Sequence, residues 1–102
     1  MTIAVQATVL FNCVPRNEWV HHRGGVYKVF HLTNLRSDQP ERFPVTVVYQ
    51  NTETGDLWSR PLVDFMQRFT PKDWGNTSLC LRKNHQALLE SLSISEVTHG
   101  AT

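Results

Sequence analysis

The chain lacks most of the features that announce a specialised protein. Its 102 residues hold two cysteines, Cys13 and Cys80, and no Cys-x-x-Cys pair, which excludes a zinc ribbon and a thioredoxin-like redox motif. No apolar run approaches the length of a membrane span. The opening segment, MTIAVQATVLFNCVPRNEW, has no basic residues ahead of its apolar run and no convincing cleavage site. It reads as part of the fold rather than as a signal peptide. A reducing cytoplasm with free thiols is the expected setting, a Cys13–Cys80 disulfide the lesser alternative. Ten basic residues against nine acidic ones leave a net charge of +1, too little for a broad duplex-DNA track, although local basic patches stay open.

The chemistry of catalysis is equally sparse. No serine sits in a nucleophile elbow, and Cys80's basic neighbour Arg82 faces elsewhere on a helix. Asp56 and Asp64 are separated by a whole strand, so they do not form a carboxylate pair. Gly24-Gly25 lacks the flanking pattern of a phosphate loop. The one His/Cys cluster, His21, His22, His31 and Cys13, lacks metal-ligand spacing. No catalytic residue, cofactor or metal site is assigned. An enzyme using His21 as general acid/base is the least supported reading.

What the chain does have is the composition of one soluble domain, residues 1–102, with 40% hydrophobic and 19% charged residues and room for a modest core. Residues 2–14 alternate loosely, with Ile3, Val5, Ala7, Val9 and Phe11 on one face, so an additional N-terminal strand is favoured. Helical spacing of Ile3, Ala7, Leu10, Phe11 and Val14 keeps a helix in play. Short strands are expected over residues 18–22, 26–35, 45–50 and 57–61. Gly24-Gly25 makes the first turn, and NTETGD, with Gly55 in the left-handed region, closes a later hairpin. LVDFMQRF reads as one helical turn before a last strand. TPKDWG suggests a single turn with Thr70 as cap. Residues 78–92 form the clearest helix, with Leu81, His85, Leu88, Leu89 and Leu92 on one face, and residues 93–102 form a tail. Val29, Val45, Val47, Tyr49, Phe65, Leu88 and one of Leu57 or Trp58 are the expected core. The fold class is mainly β: a small barrel or roll of five or six short strands, with the C-terminal helix covering one end or face.

The order of motifs adds to this. His21, Arg23, Gly24 and Tyr27 are followed by Val47, Val48 and Tyr49, then Gly55, then Leu57, Trp58, Arg60, Pro61 and Phe65. Over residues 18–70 this pattern resembles a bacterial family known as domain of unknown function 1653. Two positions depart from the family's usual residues, Arg23 in place of lysine and Trp19 in place of tyrosine. The resemblance implies an SH3-like barrel core and no activity.

Two i, i+2 pairs are the candidate ligand-binding residues. His21 and Arg23 share a strand face and line a polar pocket, unless His21 merely caps the glycine turn. Trp58 and Arg60 form the second pair, offering a stacking surface beside a planar donor fork. The competing reading buries Trp58 and pairs Arg60 with Asp64 or Glu18. A four-residue hairpin loop sets Trp58 opposite Tyr49, and a three-residue loop sets it opposite Gln50. Tyr27, half-buried with its hydroxyl at the rim, completes the set. The expected function is a binding module for an anionic or planar ligand: a nucleotide, a single-stranded nucleic acid or a peptide. The alternative is an interaction module that docks a protein partner through the C-terminal helix or a sheet edge.

Overall fold

The computed structural model describes residues 2–72 and 78–93. The chain begins with a helix, α1 (Ile3–Cys13), not a strand. Thr2 caps it, its side chain accepting from the Val5 N–H, and Val14, extended ahead of Pro15, ends it. Ala7, Leu10, Phe11 and Val14 lie at i, i+3, i+4 and i+7, and all four are buried. The β-branched residues that suggested a strand, Val5 and Val9, face solvent. Burial of one helical stripe outweighs β-propensity, which is the weaker influence.

A 3₁₀ turn (Pro15–Asn17) leads into β1 (Glu18–His21). A meander follows: β2 (Val26–Thr33), β3 (Thr46–Asn51) and β4 (Leu57–Pro61). Helix α2 (Leu62–Arg68) then carries the chain to β5 (Phe69–Pro71), which returns to pair with β1. The five strands form one antiparallel sheet in the order β4-β3-β2-β1-β5. No strand pairing joins β4 to β5 among the described residues, so the sheet is open and the expected barrel is not closed by a ladder. Thr70 and Pro71 belong to β5 rather than to a helical turn, and residues 73–75 of that expected turn lie outside the described residues.

Helix α3 (Leu79–Ser91) starts where the spacing places it, with the Ser78 side chain accepting from the Leu81 N–H. Leu81, His85, Leu88 and Leu89 are buried. Its main partner is α1 rather than the sheet. One core cluster joins Leu10 and Phe11 of α1, Trp19, Val29, Val47 and Tyr49 of the sheet, Phe65 of α2, Phe69 of β5 and Leu88 of α3. Val45 is half-buried against it. Neither Leu57 nor Trp58 joins the core, since they are 64% and 54% exposed. Both sit at the start of the edge strand β4.

Two tests follow from this packing. Leu10→Ala should cost about 2–5 kcal/mol, whereas Val5→Ala should stay within about 0.5 kcal/mol, as read from denaturant midpoints. Equal costs would mean that residues 3–13 are not helical. The glycine turn gives the second test. Gly24 and Gly25 hold φ of +99° and +94°, and a Cβ on Gly25 would also come within 3.3 Å of the Tyr27 ring, while one on Gly24 meets open space. Each Gly→Ala change should destabilise by about 1 kcal/mol or more, Gly25→Ala the more.

Candidate functional site

Register decides which side chains meet. In antiparallel pairs, residues directly opposite share a face. Trp19 pairs with Tyr27, and His21 with Phe69. The hairpin loop has four residues, 52–55, so Tyr49 pairs with Trp58 and Val47 with Arg60. His21, Tyr27, Trp58 and Arg60 therefore stand on the inner face of the sheet, the face that carries Trp19, Val47 and Tyr49. Arg23 does not join them. Strand β1 ends at His21, and Arg23 lies exposed in the turn, touching His21 through its backbone.

An aromatic floor fills the space among these residues. Phe65 and Phe69 stack at 4.2 Å, 8° from parallel. Phe69 meets Tyr27 and Tyr49 edge-on, each at 5.2 Å, and His21 at 4.9 Å. Such edge-to-face contacts set the positive rim of one ring on the negative face of another.

A polar chain runs along its border. Arg60 donates through Nε to the Tyr49 hydroxyl (2.8 Å) and through Nη1 to Asp64 Oδ2 (2.6 Å). Asp64 Oδ1 accepts from Arg68 Nε at 2.9 Å. Burial pushes the Asp64 carboxyl up, but the two arginines outweigh it and hold it below the usual carboxylate range. The bond to Asp64 raises the Arg60 guanidinium further against the opposing effect of burial. Burial also raises the Tyr49 hydroxyl, with Arg60 opposing. One carboxylate shared by two guanidiniums leaves the group with a net positive charge.

His21 sits in that field. Its Nδ1 accepts the Arg23 N–H at 3.0 Å, which fixes the neutral ring with its proton on Nε2. Burial, then the charges of His22, Arg60, Arg68 and Arg23, lower its pKa. The turn-capping role is thus real, and it leaves Nε2–H as a neutral donor. His22 follows directly on His21. It lies past the strand end, where alternation no longer applies, and its ring centroid is 4.3 Å from that of His21. His31 pairs with Val48 on the outer face and Cys13 lies on α1, so the sequence's His/Cys cluster does not assemble.

Tyr49 and Arg68 were not among the candidate ligand-binding residues, and Asp64 entered only as a structural partner of Arg60. The spacing Arg60-x₃-Asp64-x₃-Arg68 was legible as i, i+4 charge pairs. The step across the boundary between β4 and α2, Arg60 to Asp64, was one of the two pairings considered; the step from Asp64 to Arg68, wholly within α2, was not.

The fold and face together define a small sheet-and-helix module with an aromatic, cationic inner rim. The chain belongs to the family described as Protein of unknown function (DUF1653), whose model matches residues 17–73. That segment contains the whole sheet and α2, and every motif residue from His21 to Phe65. Helices α1 and α3 lie outside it. No curated protein and no solved structure matches the chain.

The lowered pKa of His21 has a measurable consequence. Between its folded value and the ordinary value of about 6.5, the unfolded chain binds a proton that the folded chain refuses. Stability contributed by His21 is therefore full above that window and falls as the pH drops through it. Denaturant midpoints of the parent and of His21→Gln, compared from pH 8 down to pH 4, should converge or cross as the pH falls. Parallel curves would show that His21 titrates alike in both states.

Proposed function

We propose that this protein is a small binding module whose inner rim takes a ligand that is both planar and anionic, the chemistry of a nucleotide unit, free or within a single strand. One observation carries the reading. Trp58 is large, apolar and 54% exposed, and it stands across from Tyr49 and two residues from an arginine already held in place. Arg60 spends two of its five donors on Tyr49 and Asp64. The remainder suit a phosphate or carboxylate, with Arg68 adding charge and His21 Nε2–H a neutral donor. The indole offers the stacking face. Two unbridged cysteines fit a reducing, cytoplasmic setting.

Protein docking is the second reading. Helix α3 turns Leu81, Leu88 and Leu89 to the core and leaves Leu79 exposed. The edge strand β4, with Leu57 and Trp58 exposed, keeps that reading open.

Titration with adenosine diphosphate, an oligothymidylate and an acidic peptide, beside thermal melts, separates these readings. Trp58→Ala should leave stability within about 0.5 kcal/mol and weaken nucleotide or oligonucleotide binding by the stacking loss of about 1–3 kcal/mol. Arg60→Lys should lower both binding and melting temperature, since lysine cannot reproduce the fork to Tyr49 and Asp64. Binding of the peptide alone favours docking. A Trp58→Ala variant that binds nucleotides like the parent sinks the nucleotide reading.

A further inference from the structure

Away from this rim, two cysteines distant in sequence meet at one end of the helix pair. Cys13 is the last residue of α1, and Cys80 stands in the first turn of α3. Asn84, one turn further along α3, points its Nδ2 at both sulfurs, 3.9 Å from Cys13 Sγ and 3.5 Å from Cys80 Sγ. Both thiols are free, Cys80 exposed and Cys13 half-buried. Their approach is no accident of mobile ends. Ala7, Leu10 and Phe11 of α1 and Leu81, Leu88 and Leu89 of α3 are buried in one cluster, which holds the two helices together. Nothing in the proposed binding rim uses either sulfur.

We propose that Cys13 and Cys80 form a redox-modification site, a dithiol that a low-molecular-weight disulfide of the glutathione class converts into an intramolecular bond between α1 and α3. The two sulfurs have different parts. Exposed Cys80 meets the reagent first. Its thiolate attacks one sulfur of the small disulfide, a mixed disulfide forms on Cys80, and one small thiolate leaves. Cys13 then gives up its proton, its sulfur attacks Cys80 Sγ, and the second small thiolate departs. Two protein thiols are oxidised to one disulfide, one small disulfide is reduced to two thiols, and the protons pass to the leaving thiolates. Burial, reinforced by the neighbouring Cys80 thiol and opposed by the Asn84 amide, raises the Cys13 pKa. That keeps Cys13 protonated and disfavours it as the first nucleophile; its part in the second step rests on its place beside Cys80. The bond closes a loop running from residue 13 to residue 80, which encloses the family segment at residues 17–73. In the reduced chain α3 is held to α1 by noncovalent contacts; in the oxidised chain the helices are stapled.

The test is incubation of the full chain at low concentration in graded ratios of reduced to oxidised glutathione, followed by intact mass, peptide mapping and a melting curve. The parent should lose two hydrogens, yield a peptide linked between Cys13 and Cys80, remain monomeric and melt several degrees higher. Cys13→Ser should instead accumulate a stable glutathione adduct on Cys80, since nothing resolves it. Cys80→Ser should react more slowly, at the half-buried Cys13. A parent that carries stable adducts on both cysteines, or that oxidises only to a linked dimer, overturns the proposal. So would a Cys13→Ser variant that acquires no adduct under conditions where the parent oxidises.

Discussion

Burial of Trp19 is the constraint on which the other layers depend. It lies in β1, which pairs with β2 on one side and β5 on the other, and it is fully buried. Phe11 of α1 stacks on it at 4.8 Å, and Phe65 of α2 meets it edge-on at 5.1 Å. One side chain thus fastens both helices to the sheet. Its indole Nε1–H has no hydrogen-bond acceptor among the described residues, so the anchor holds by area and ring geometry. That arrangement suits a chain of this size, in which large aromatics must supply much of the burial. From Trp19 the aromatic contacts run through Phe65 and Phe69 to Tyr27, Tyr49 and His21, so the core and the candidate rim are one continuous surface.

Continuity explains why the rim exists. The inner face of the sheet is wider than its cover. Helix α1, backed by α3, and helix α2 bury Trp19, Val29, Val47, Tyr49 and Phe69. At β4 the cover ends, and Trp58 continues the same face into solvent. An exposed tryptophan opposite a buried tyrosine is what such a boundary produces.

Much of this was legible in the chain. The hairpin over residues 51–56 and the helix over residues 78–92 follow from turn chemistry and leucine spacing, both of them local. The four-residue loop was one of two registers open, and it sets Trp58 against Tyr49. The inference from register to burial did not hold, because a strand face equals a buried face only where something packs over it, and periodicity carries no information about cover. The first segment failed for a different reason. Residues 3–13 satisfy a two-residue and a 3.6-residue period at once, and only the presence of Trp19 and α3 selects the helix. Arg23 was placed by extrapolating strand alternation past His21, where the turn had already begun. Asp64 was read as one of two possible partners for Arg60, across the strand-to-helix junction; Arg68, four residues further along the short helix α2, was not read with it.

The structural and binding readings of Arg60 were set against each other by the sequence, and the geometry removes the opposition. A guanidinium free in solvent must lose rotamer entropy to grip a ligand, a cost of about 0.5–1.5 kcal/mol for a long side chain. Arg60 has already met that cost in folding, since Tyr49 fixes Nε and Asp64 fixes Nη1. Asp64 does not cancel the charge it orients, because it is divided between Arg60 and Arg68. All three side chains remain partly open to water, so the network adds only modestly to stability. Its main product is orientation: a cationic fork held beside an uncovered indole, on a face whose floor is locked by the core. In this chain the ion pair and the candidate site are therefore one arrangement, with the structural role supplying the preorganisation that the binding role requires.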